Sequence, residues 1–575
     1  MALQLRVSSL TKTTPSLLSS HNHNQSSISK AFLLSESPGV RKFASPTKSS
    51  IRSRQITTTR CLFGKGVVPA ANDVVEGVID GVTTSIRSIS QPDRVKRDDF
   101  PLDFKFGAST SALQTEGSGS EGGRGPSTWD SFLQDFSVEG TEMATNSYHK
   151  YKDDAKALKE MGMDAYRMSI SWSRLLPKGS LSGGINQEGI DFYNKFFQEL
   201  LDNGIEPFVT LFHFDLPTAL QTQYRGFLDK KIVDDFKDFA DLCFKNFGDK
   251  VKHWTTINEP QLFAMYGYRV SLFPTGDKVN DPYDAAHNII LSHAAAAKLY
   301  KQKYQAAQGG EIGISIVGQW FVPHSDSSRD KEAAERANDF MVGWFMEPLV
   351  YGDYPFIMRA LVRDNLPMFT DKQREMVKGS YDFIGVNYYT ARYAKDIPFT
   401  REHKFTSTDK YQFVEQKEEK NGVPIGPLPP AGGSESIYIY PAGLRDVLVY
   451  MKERYENPKF YVTENGIPER RDDSQPMEKA LEDNHRIEVI LSHLYAVREA
   501  MKKGVNMKGF FIWALLDCME MGSAYNVRFG LYYTDYKNDC KRYPKKSAKW
   551  LHSYLKTDRL PQEQPNEVGK LQIMH

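Results

Sequence analysis

Residues 254–260 read Trp-Thr-Thr-Ile-Asn-Glu-Pro, and residues 460–466 read Phe-Tyr-Val-Thr-Glu-Asn-Gly. Each stretch is a short run of β-branched and aromatic residues, which is typical of a strand, and each has a glutamate shortly before a proline or glycine that interrupts regular structure. A side chain in this position lies at the carboxyl end of a strand, where (β/α)8 barrels carry their reactive groups. The two stretches therefore predict a barrel with Glu259 and Glu464 at the same end.

Eight strand-like runs alternate with helical patterns between about residues 98 and 557. Several runs are almost continuously apolar, as expected of strands covered by helices on one face and by a packed core on the other. Eight such units predict one α/β domain, a single (β/α)8 TIM barrel with long βα loops. An open doubly wound sheet is the alternative, and the glutamates after the fourth and seventh strands favour closure. The predicted strands are 104–107 with a continuation to 114, 165–172, 207–213, 253–258, 312–317, 383–389, 460–463 and 509–516.

One connection stands out from the others. Residues 394–437 are charged and repeatedly interrupted by glycine and proline. Ordered loops of this length usually carry function. We expect this one to overhang the mouth of the barrel.

The two glutamates point to one kind of chemistry. Cleavage of a glycosidic bond needs a proton donor to the leaving oxygen and a second carboxylate that acts as base or nucleophile. Asn-Glu-Pro or Glu-Asn-Gly alone also occurs in ordinary turns. Together, in this order and at matching strand ends, they predict a glycosidase whose partner is a small-molecule glycoside.

The bulk composition argues against other classes of function. Lys and Arg number 73 against 72 Asp and Glu, so the chain has no overall field that attracts nucleic acid or an anionic membrane. No stretch approaches the roughly 18 consecutive apolar residues of a membrane span. The sequence leaves homo-oligomerisation open.

The first 60 residues differ from the rest of the chain. Residues 1–60 hold 21 Ser or Thr and nine Lys or Arg but one acidic residue, Glu36, and they lack the apolar core of a secretory signal. This composition is typical of a transit peptide and predicts import into a plastid, the chloroplast. A disordered tail without a targeting role is the alternative. After this segment, we predict a linker at 61–97, the glycosidase domain at 98–557 and a polar tail at 558–575.

The cysteines and the single glycosylation sequon agree with an intracellular or organellar protein. Cys61, Cys243, Cys518 and Cys540 lack zinc-ligand spacing and form no dense disulfide framework. The sequon at Asn24 lies in the predicted transit peptide. We therefore expect neither a bound metal ion nor a secreted, glycosylated protein.

Further segments extend the pattern beyond the two glutamates. They are Phe-Gly-Ala at 106–108, Tyr-Arg-Met-Ser-Ile-Ser-Trp at 166–172, Leu-Phe-His-Phe-Asp-Leu-Pro at 211–217, Trp-Phe-Met-Glu-Pro at 344–348, Asn-Tyr-Tyr-Thr at 387–390 and Arg-Phe-Gly at 528–530. With them, roughly residues 98–557 resemble plant β-glucosidases of glycoside hydrolase family 1, of the plastid type. The resemblance implies the barrel fold, hydrolysis of β-glycosides with retention of anomeric configuration, and no cofactor or metal.

The resemblance also implies roles for individual residues. Glu259 matches the acid/base and Glu464 the nucleophile, with carboxyls about 5 Å apart as in retaining enzymes. Arg167 and Tyr389 match groups that hold the nucleophile, where a cation and a phenol would keep Glu464 ionised, while a less polar pocket should raise the pKa of Glu259. The positions that match contacts to the sugar are Gln114, His213, Asn258, Tyr389, Trp513, Glu520 and Phe529.

The chain departs from the family pattern in several places. The usual His-Trp-Asp is His-Phe-Asp at 213–215, and the usual Asn-Phe-Glu-Trp is Cys-Met-Glu-Met at 518–521. Met521 cannot replace an indole donor, so a sugar contact of about 0.5–1.5 kcal/mol is lost. The cysteine-bounded loop after the fourth strand is also missing, because 273–276 run straight into Asp277 and Lys278. The sugar (glucose, galactose, fucose or a disaccharide) stays open, and we expect a reshaped entrance.

Ser436 suggests the shape of the leaving group. Many plant members of the family have a tryptophan here that stacks on a flat aromatic aglycone. A serine leaves room for a thicker or aliphatic group. We therefore expect a bulky specialised metabolite, such as a steroid or terpenoid glycoside.

Two other functions use the same scaffold. A transglycosidase would share every catalytic residue and would pass the sugar to an alcohol instead of water. A non-catalytic sugar-binding or scaffold protein would explain Phe214 and Met521 but not the retention of both carboxylates, Arg167 and Asn258. A thioglucosidase is disfavoured, because that subgroup typically has Gln where this chain has Glu259.

Overall fold

The computed structural model describes residues 95–135, 144–268, 280–399 and 411–556. The predicted transit peptide, all but the end of the linker, the segment 273–278 and the C-terminal tail lie outside these residues, as do Cys61 and Asn24. The domain boundaries given above therefore stay predictions.

Eight parallel strands close into a barrel within the described residues, which confirms the predicted fold. Strand order follows the chain, and the last strand pairs with the first from Lys105↔Gly509 to Ser109↔Trp513. The strands are β1 Lys105–Ser109, β2 Ala165–Ser169, β3 Glu206–Phe212, β4 His253–Asn258, β5 Glu311–Val317, β6 Phe383–Asn387, β7 Lys459–Asn465 and β8 Met507–Trp513.

Aromatic rings fill the barrel near the amino-terminal ends of its strands. Phe208 of β3 lies 4.8 Å from Phe511 of β8 and 5.4 Å from Tyr461 of β7, measured between ring centroids. A Cβ added to Gly107 would lie 2.5 Å from the Phe511 ring, so only glycine lets β1 approach it. This packed plug confines any chemistry to the carboxyl ends of the strands.

Amphipathic helices surround the barrel. The helix Lys231–Phe247 buries Ile232, Phe236, Phe239 and Phe247, at spacings that place them on one face. The longer helices are Ser147–Met161, Gln187–Asp202, Lys231–Phe247, Asp281–Leu299, Ser328–Asn338, Trp344–Tyr351, Pro441–Arg454, Asn484–Lys502 and Lys546–Leu555. Shorter ones are Ala112–Thr115, Thr128–Asp135, Trp172–Leu175, Thr218–Tyr224, Pro260–Leu262, Gln305–Gln308, Phe356–Val362, Asp371–Val377 and Met477–Ala480. Among the described residues, no helix combines the length and apolar character that a bilayer crossing requires.

Several predicted strands run too far. The first strand ends at Ser109 and not at residue 114, because the chain turns into the helix Ala112–Thr115, which holds Gln114. The Ala112 amide there donates to Ser169 Oγ (2.7 Å) and not to a neighbouring strand. The second strand likewise stops at Ser169, before the helix Trp172–Leu175. An apolar run alone does not separate a buried strand from the short helix that follows it.

The connection 394–437 begins inside a small sheet. Ala391–Asp396 pairs in parallel with Trp320–Pro323 and antiparallel with Val414–Lys417. Glu419–Lys420 and Val423–Pro424 form a hairpin. Two further pairs join the later loops: Glu469–Arg470 with Val527–Arg528, and Tyr532–Asp535 with Lys541–Pro544.

Candidate active site

Glu259 and Glu464 both lie at the carboxyl end of the barrel. Glu259 directly follows β4, and Glu464 is the penultimate residue of β7. The strand register places Glu464 beside Asn387 at the end of β6. Both carboxyls are buried, at 1 % and 3 % exposure. The two glutamates that the sequence singled out are thus brought to one buried region.

The backbone at Glu259 has an unusual conformation. Its φ of 45° and ψ of 56° are left-handed, and Pro260 follows at the start of a short helix. Non-glycine residues rarely adopt this region. The Glu259 amide donates to Ser315 O of β5 (2.8 Å), and this bond fixes the turn against the neighbouring strand.

Two donors hold Glu464. Arg167 Nη1 donates to Oε1 and the Tyr389 hydroxyl to Oε2, each at 2.8 Å. The ion pair is buried, with the two side chains 1 % and 4 % exposed. Burial, followed by the charge of Glu464, raises the pKa of Tyr389 well above its usual 10.0, so the phenol keeps its proton. Both donors stabilise the ionised carboxylate.

Two asparagines connect the carboxylates. Arg167 Nη2 also donates to Asn258 Oδ1. Asn387 Nδ2 donates at 3.0 Å to both Asn258 Oδ1 and Glu259 Oε1. Thr463 in turn donates to Asn387 Oδ1 (2.6 Å) and so orients that amide. Asn387 begins the Asn-Tyr-Tyr-Thr motif, from which no role for it was predicted; its position as the last residue of a strand was the available signal.

The environment of Glu259 differs from that of Glu464. Burial raises the pKa of Glu259 above its usual 4.5, and the negative charge of Glu464 raises it further. The Asn387 hydrogen bond and the Arg167 charge oppose this without reversing it. One carboxyl therefore accepts hydrogen bonds from a cation and a phenol, and the other has a raised pKa, as glycosidic cleavage by two carboxyls with different roles requires.

A second group of predicted residues lies around Glu520. Trp513 Nε1 donates to Glu520 Oε1 at 2.8 Å. Gln114 Nε2 donates to Glu520 Oε2 at 3.4 Å and to Met519 O at 2.7 Å. Burial raises the pKa of Glu520 to about 8, although the Trp513 bond lowers it. The buried carboxyl is thereby disposed to be neutral at pH 7.

His213 lies between this group and Asn258. Its ring stacks on Trp513, 5.7 Å between centroids at 17°. Asn258 Nδ2 lies 3.2 Å from His213 Nε2, which accepts if the ring proton is on Nδ1. Burial, followed by the Arg167 charge, lowers the pKa of His213 well below 6.5. The imidazole is therefore neutral at pH 7.

Phe529, Tyr389 and Ile437 belong to one apolar cluster. Phe529 meets the Tyr389 ring edge-on, 6.2 Å between centroids at 88°. Ile437 and Trp513 are buried in the same cluster. Ser436 is half-buried, and its carbonyl accepts from Arg392 Nη2. Ser436 directly precedes Ile437 in the chain and is not itself a member of the cluster.

Phe214 and Met521, which stand where the family motifs have tryptophan, are both buried. Phe214 is 7 % exposed, and its ring lies nearly parallel to that of Phe263, 5.9 Å away. Met521 is 3 % exposed and packs into the main core. Neither position carries a polar hydrogen that a sugar hydroxyl could accept.

Known proteins match the chain over the barrel domain. The family model of glycosyl hydrolase family 1 matches residues 96–560. A furostanol glycoside 26-O-β-glucosidase from Hellenia speciosa is 52% identical over 478 residues, which cover 80% of this chain and 84% of that protein. β-Glucosidase 12 from Oryza sativa subsp. indica is 47% identical over 481 residues, or 80% of this chain and 93% of that protein.

Solved structures of β-glucosidases are also similar to this chain. The crystal structure of rice Os3BGlu6 β-glucosidase is 42% identical, with a TM-score of 0.78, and covers 80% of this chain and 100% of that chain. A mutant of the rice enzyme in a covalent complex with Glc is 41% identical, with a TM-score of 0.77, and covers the same shares of the two chains.

Proposed function

The chain belongs to glycosyl hydrolase family 1 and is a retaining β-glucosidase, and from that premise we propose that Glu464 is its nucleophile and Glu259 its acid/base. One observation carries this assignment. Arg167 and Tyr389 both donate to Glu464, whereas burial and the charge of Glu464 raise the pKa of Glu259. A carboxylate so held is a ready nucleophile, and a carboxyl that keeps its proton is a ready acid.

In the first step a Glu464 oxygen attacks the anomeric carbon as the bond to the aglycone oxygen breaks. Glu259 gives its proton to that oxygen, so the aglycone leaves as an alcohol and the sugar becomes an ester of Glu464. Asn258 supports this step by donating to the sugar 2-hydroxyl, a bond that strengthens in the transition state.

In the second step water takes the place of the aglycone. Glu259, now ionised, removes a proton from the water as its oxygen attacks the anomeric carbon, and Glu464 leaves as a carboxylate. The two inversions restore the original configuration, and both carboxyls return to their starting states. The relatives named above are β-glucosidases, and they give no support to the transglycosidase or the non-catalytic alternative.

A covalent trap tests this assignment. A 2,4-dinitrophenyl 2-deoxy-2-fluoro-β-glucoside should inactivate the enzyme, because fluorine slows both steps while the good leaving group allows the first. We expect mass spectrometry of the digested protein to find the fluoroglucosyl group on Glu464. A label on any other residue, or no label in a preparation that hydrolyses aryl glucosides, contradicts the assignment.

We further propose that the aglycone is bulky and largely aliphatic, as in a steroid glycoside. Ser436, a small residue, directly precedes Ile437, which is buried in one apolar cluster with Tyr389, Trp513 and Phe529. A small side chain next to such a cluster leaves room for a thick ring system and does not provide a stacking slab. The relative that is 52% identical acts on a furostanol glycoside by its name, which supports the same class.

Substituting Ser436→Trp should shift preference towards flat aglycones. The indole would occupy the space that a fused aliphatic ring system needs, so we expect kcat/KM for a steroid glucoside to fall at least ~10-fold, roughly the effect of one overfilled apolar contact. The value for 4-methylumbelliferyl glucoside should be unchanged or higher. Ser553→Trp, on the exposed face of the last helix, is the matched control. Equal effects on both substrates, or a wild-type preference for flat glucosides, contradict the proposal.

A further inference from the structure

Arg486 is a fully buried cation with no direct contact to the catalytic carboxylates. It lies in the first turn of the helix Asn484–Lys502 and is 1 % exposed. A buried guanidinium is tolerated only if its five N–H groups find acceptors. Its acceptors are Asp483 Oδ2 at 2.9 Å, Ile467 O at 2.5 Å, Phe529 O at 3.0 Å, Glu469 Oε1 at 3.2 Å and Arg528 O at 3.3 Å.

These acceptors belong to two loops at the carboxyl end of the barrel. Ile467 lies three residues after Glu464, on the loop that leaves β7. Phe529 lies on the loop that follows β8 and meets Tyr389, which donates to Glu464. Arg486 therefore bonds two segments. One is the loop that follows Glu464, and the other is the loop whose Phe529 packs against Tyr389.

The two loops also meet through the backbone near Trp513. A Cβ on Gly466 would lie 1.9 Å from Trp513 O, so the chain after Glu464 packs directly on the end of β8. Phe529 O accepts from the Ala514 amide (3.2 Å) as well as from Arg486. Arg486 thus fixes the loop after Glu464, the loop that carries Phe529 and the end of β8 relative to one another. We call this set of contacts the junction.

A compensated set of charges keeps this junction together. Lys545 Nζ donates to Glu469 (2.6 Å) and Asp517 (2.9 Å), and Arg528 Nη1 donates to Asp517 (2.9 Å). Burial would raise the pKa of Glu469, but Lys545 and Arg486 lower it to about 2. Glu469 is therefore ionised at neutral pH.

We propose that Arg486 is a positioning residue for the first displacement step, which it serves by fixing the Glu464 loop against Phe529. This inference rests on the proposed role of Glu464. Small displacements of reacting groups cost large factors in rate, because the attacking atom must be aligned before reaction. The effect should appear in kcat and in the trapping rate, and only weakly in KM, because Arg486 does not touch the sugar.

Arg486→Lys tests this proposal. Lysine keeps the charge but replaces a planar five-donor group by a compact three-donor one, which cannot bond both loops in the same geometry. We expect kcat for an aryl glucoside to fall roughly 10–100-fold, the trapping rate of Glu464 by the fluoroglucoside to fall by the same factor, and KM to change by less than about threefold.

Arg542→Lys is the matched control. The side chain of Arg542 is also buried, and it donates to Asp154 (2.9 Å), to Ser147 and to Cys540 O (2.6 Å), but it bonds neither Ile467 nor Phe529. It should lower the unfolding temperature without changing kcat. If both variants lose kcat in proportion to their loss of stability, the positioning role is wrong.

Asp483→Asn provides a second variant that keeps Arg486 in place. It weakens the bond that orients Arg486 Nε, so we expect a loss of kcat of roughly threefold or more with KM retained. If Arg486→Lys does not fold, wild-type kcat in Asp483→Asn overturns the proposal; if it folds, wild-type kcat and trapping in Arg486→Lys do so. Absence of trapping in the wild-type enzyme, by contrast, overturns the role of Glu464 itself.

Discussion

Replacing Glu464 by glycine should lower kcat for aryl glucosides by at least ~10⁴-fold, because the group that forms the covalent intermediate is removed while binding contacts remain. The vacated space beside Arg167 and Tyr389 keeps its two donors and so suits a small anion. Added azide should therefore attack the anomeric carbon from the face that Glu464 occupies. We expect partial recovery of the rate, with α-glucosyl azide as the product, because only one inversion then occurs.

Product stereochemistry makes this test specific. Proton NMR distinguishes the α- from the β-azide directly. Glu453→Gly, at an exposed position of the helix Pro441–Arg454, controls for removal of a glutamate side chain and should retain wild-type kcat. A β-azide from Glu464→Gly, or undiminished hydrolysis, is incompatible with Glu464 as the nucleophile.

Replacing Glu259 by glutamine should separate substrates by the quality of their leaving group. Glutamine cannot protonate the departing oxygen, so kcat/KM for an alkyl or steroid glucoside should fall ~10³-fold, within the range of general acid catalysis. A 2,4-dinitrophenyl glucoside needs no protonation and should keep its rate of glycosylation. Its turnover should then be limited by the second step, for which Glu259 is the base.

The pH profile gives an independent check on Glu259. Its pKa is raised above 4.5 in the folded enzyme, so the active, protonated form persists above the usual range and is lost as pH rises through the raised value. The alkaline fall of kcat/KM should therefore belong to Glu259 and be absent from Glu259→Gln. Azide added to Glu259→Gly should give the β-azide, because the Glu464 ester still forms first. If kcat/KM of Glu259→Gln still falls at alkaline pH, the fall does not come from the titration of Glu259.

Much of the barrel follows from the sequence because its signal is local. The run His253–Asn258 was predicted to the residue, and β5 and β7 to within two residues at either end. Buried parallel strands read as apolar runs, and a polar residue followed by a breaker marks their carboxyl ends. That signal also located Glu259 and Glu464, which the structure brings to one buried region.

The hydrogen-bond network could not be predicted in the same way. Asn387 bonds Glu259, and Arg486 bonds Ile467 and Phe529, across separations of 128, 19 and 43 residues. Such contacts depend on closure of the barrel and on loop conformation, which no local pattern encodes. Gln114 shows the same limit: the resemblance implied a sugar contact for it, but its bond to Glu520 was not predicted, and it lies on a helix that an apolar run had extended as a strand.

The left-handed backbone at Glu259 sets two demands against each other. Glycine adopts this conformation at least cost, while any residue with a Cβ stores about 1–3 kcal/mol there. Only a carboxylic acid, however, can exchange a proton with the leaving oxygen and with water. Selection for thermal stability alone should therefore favour Glu259→Gly, whereas selection for turnover keeps the glutamate. The strain at this residue cannot be relieved by glycine without loss of the reaction.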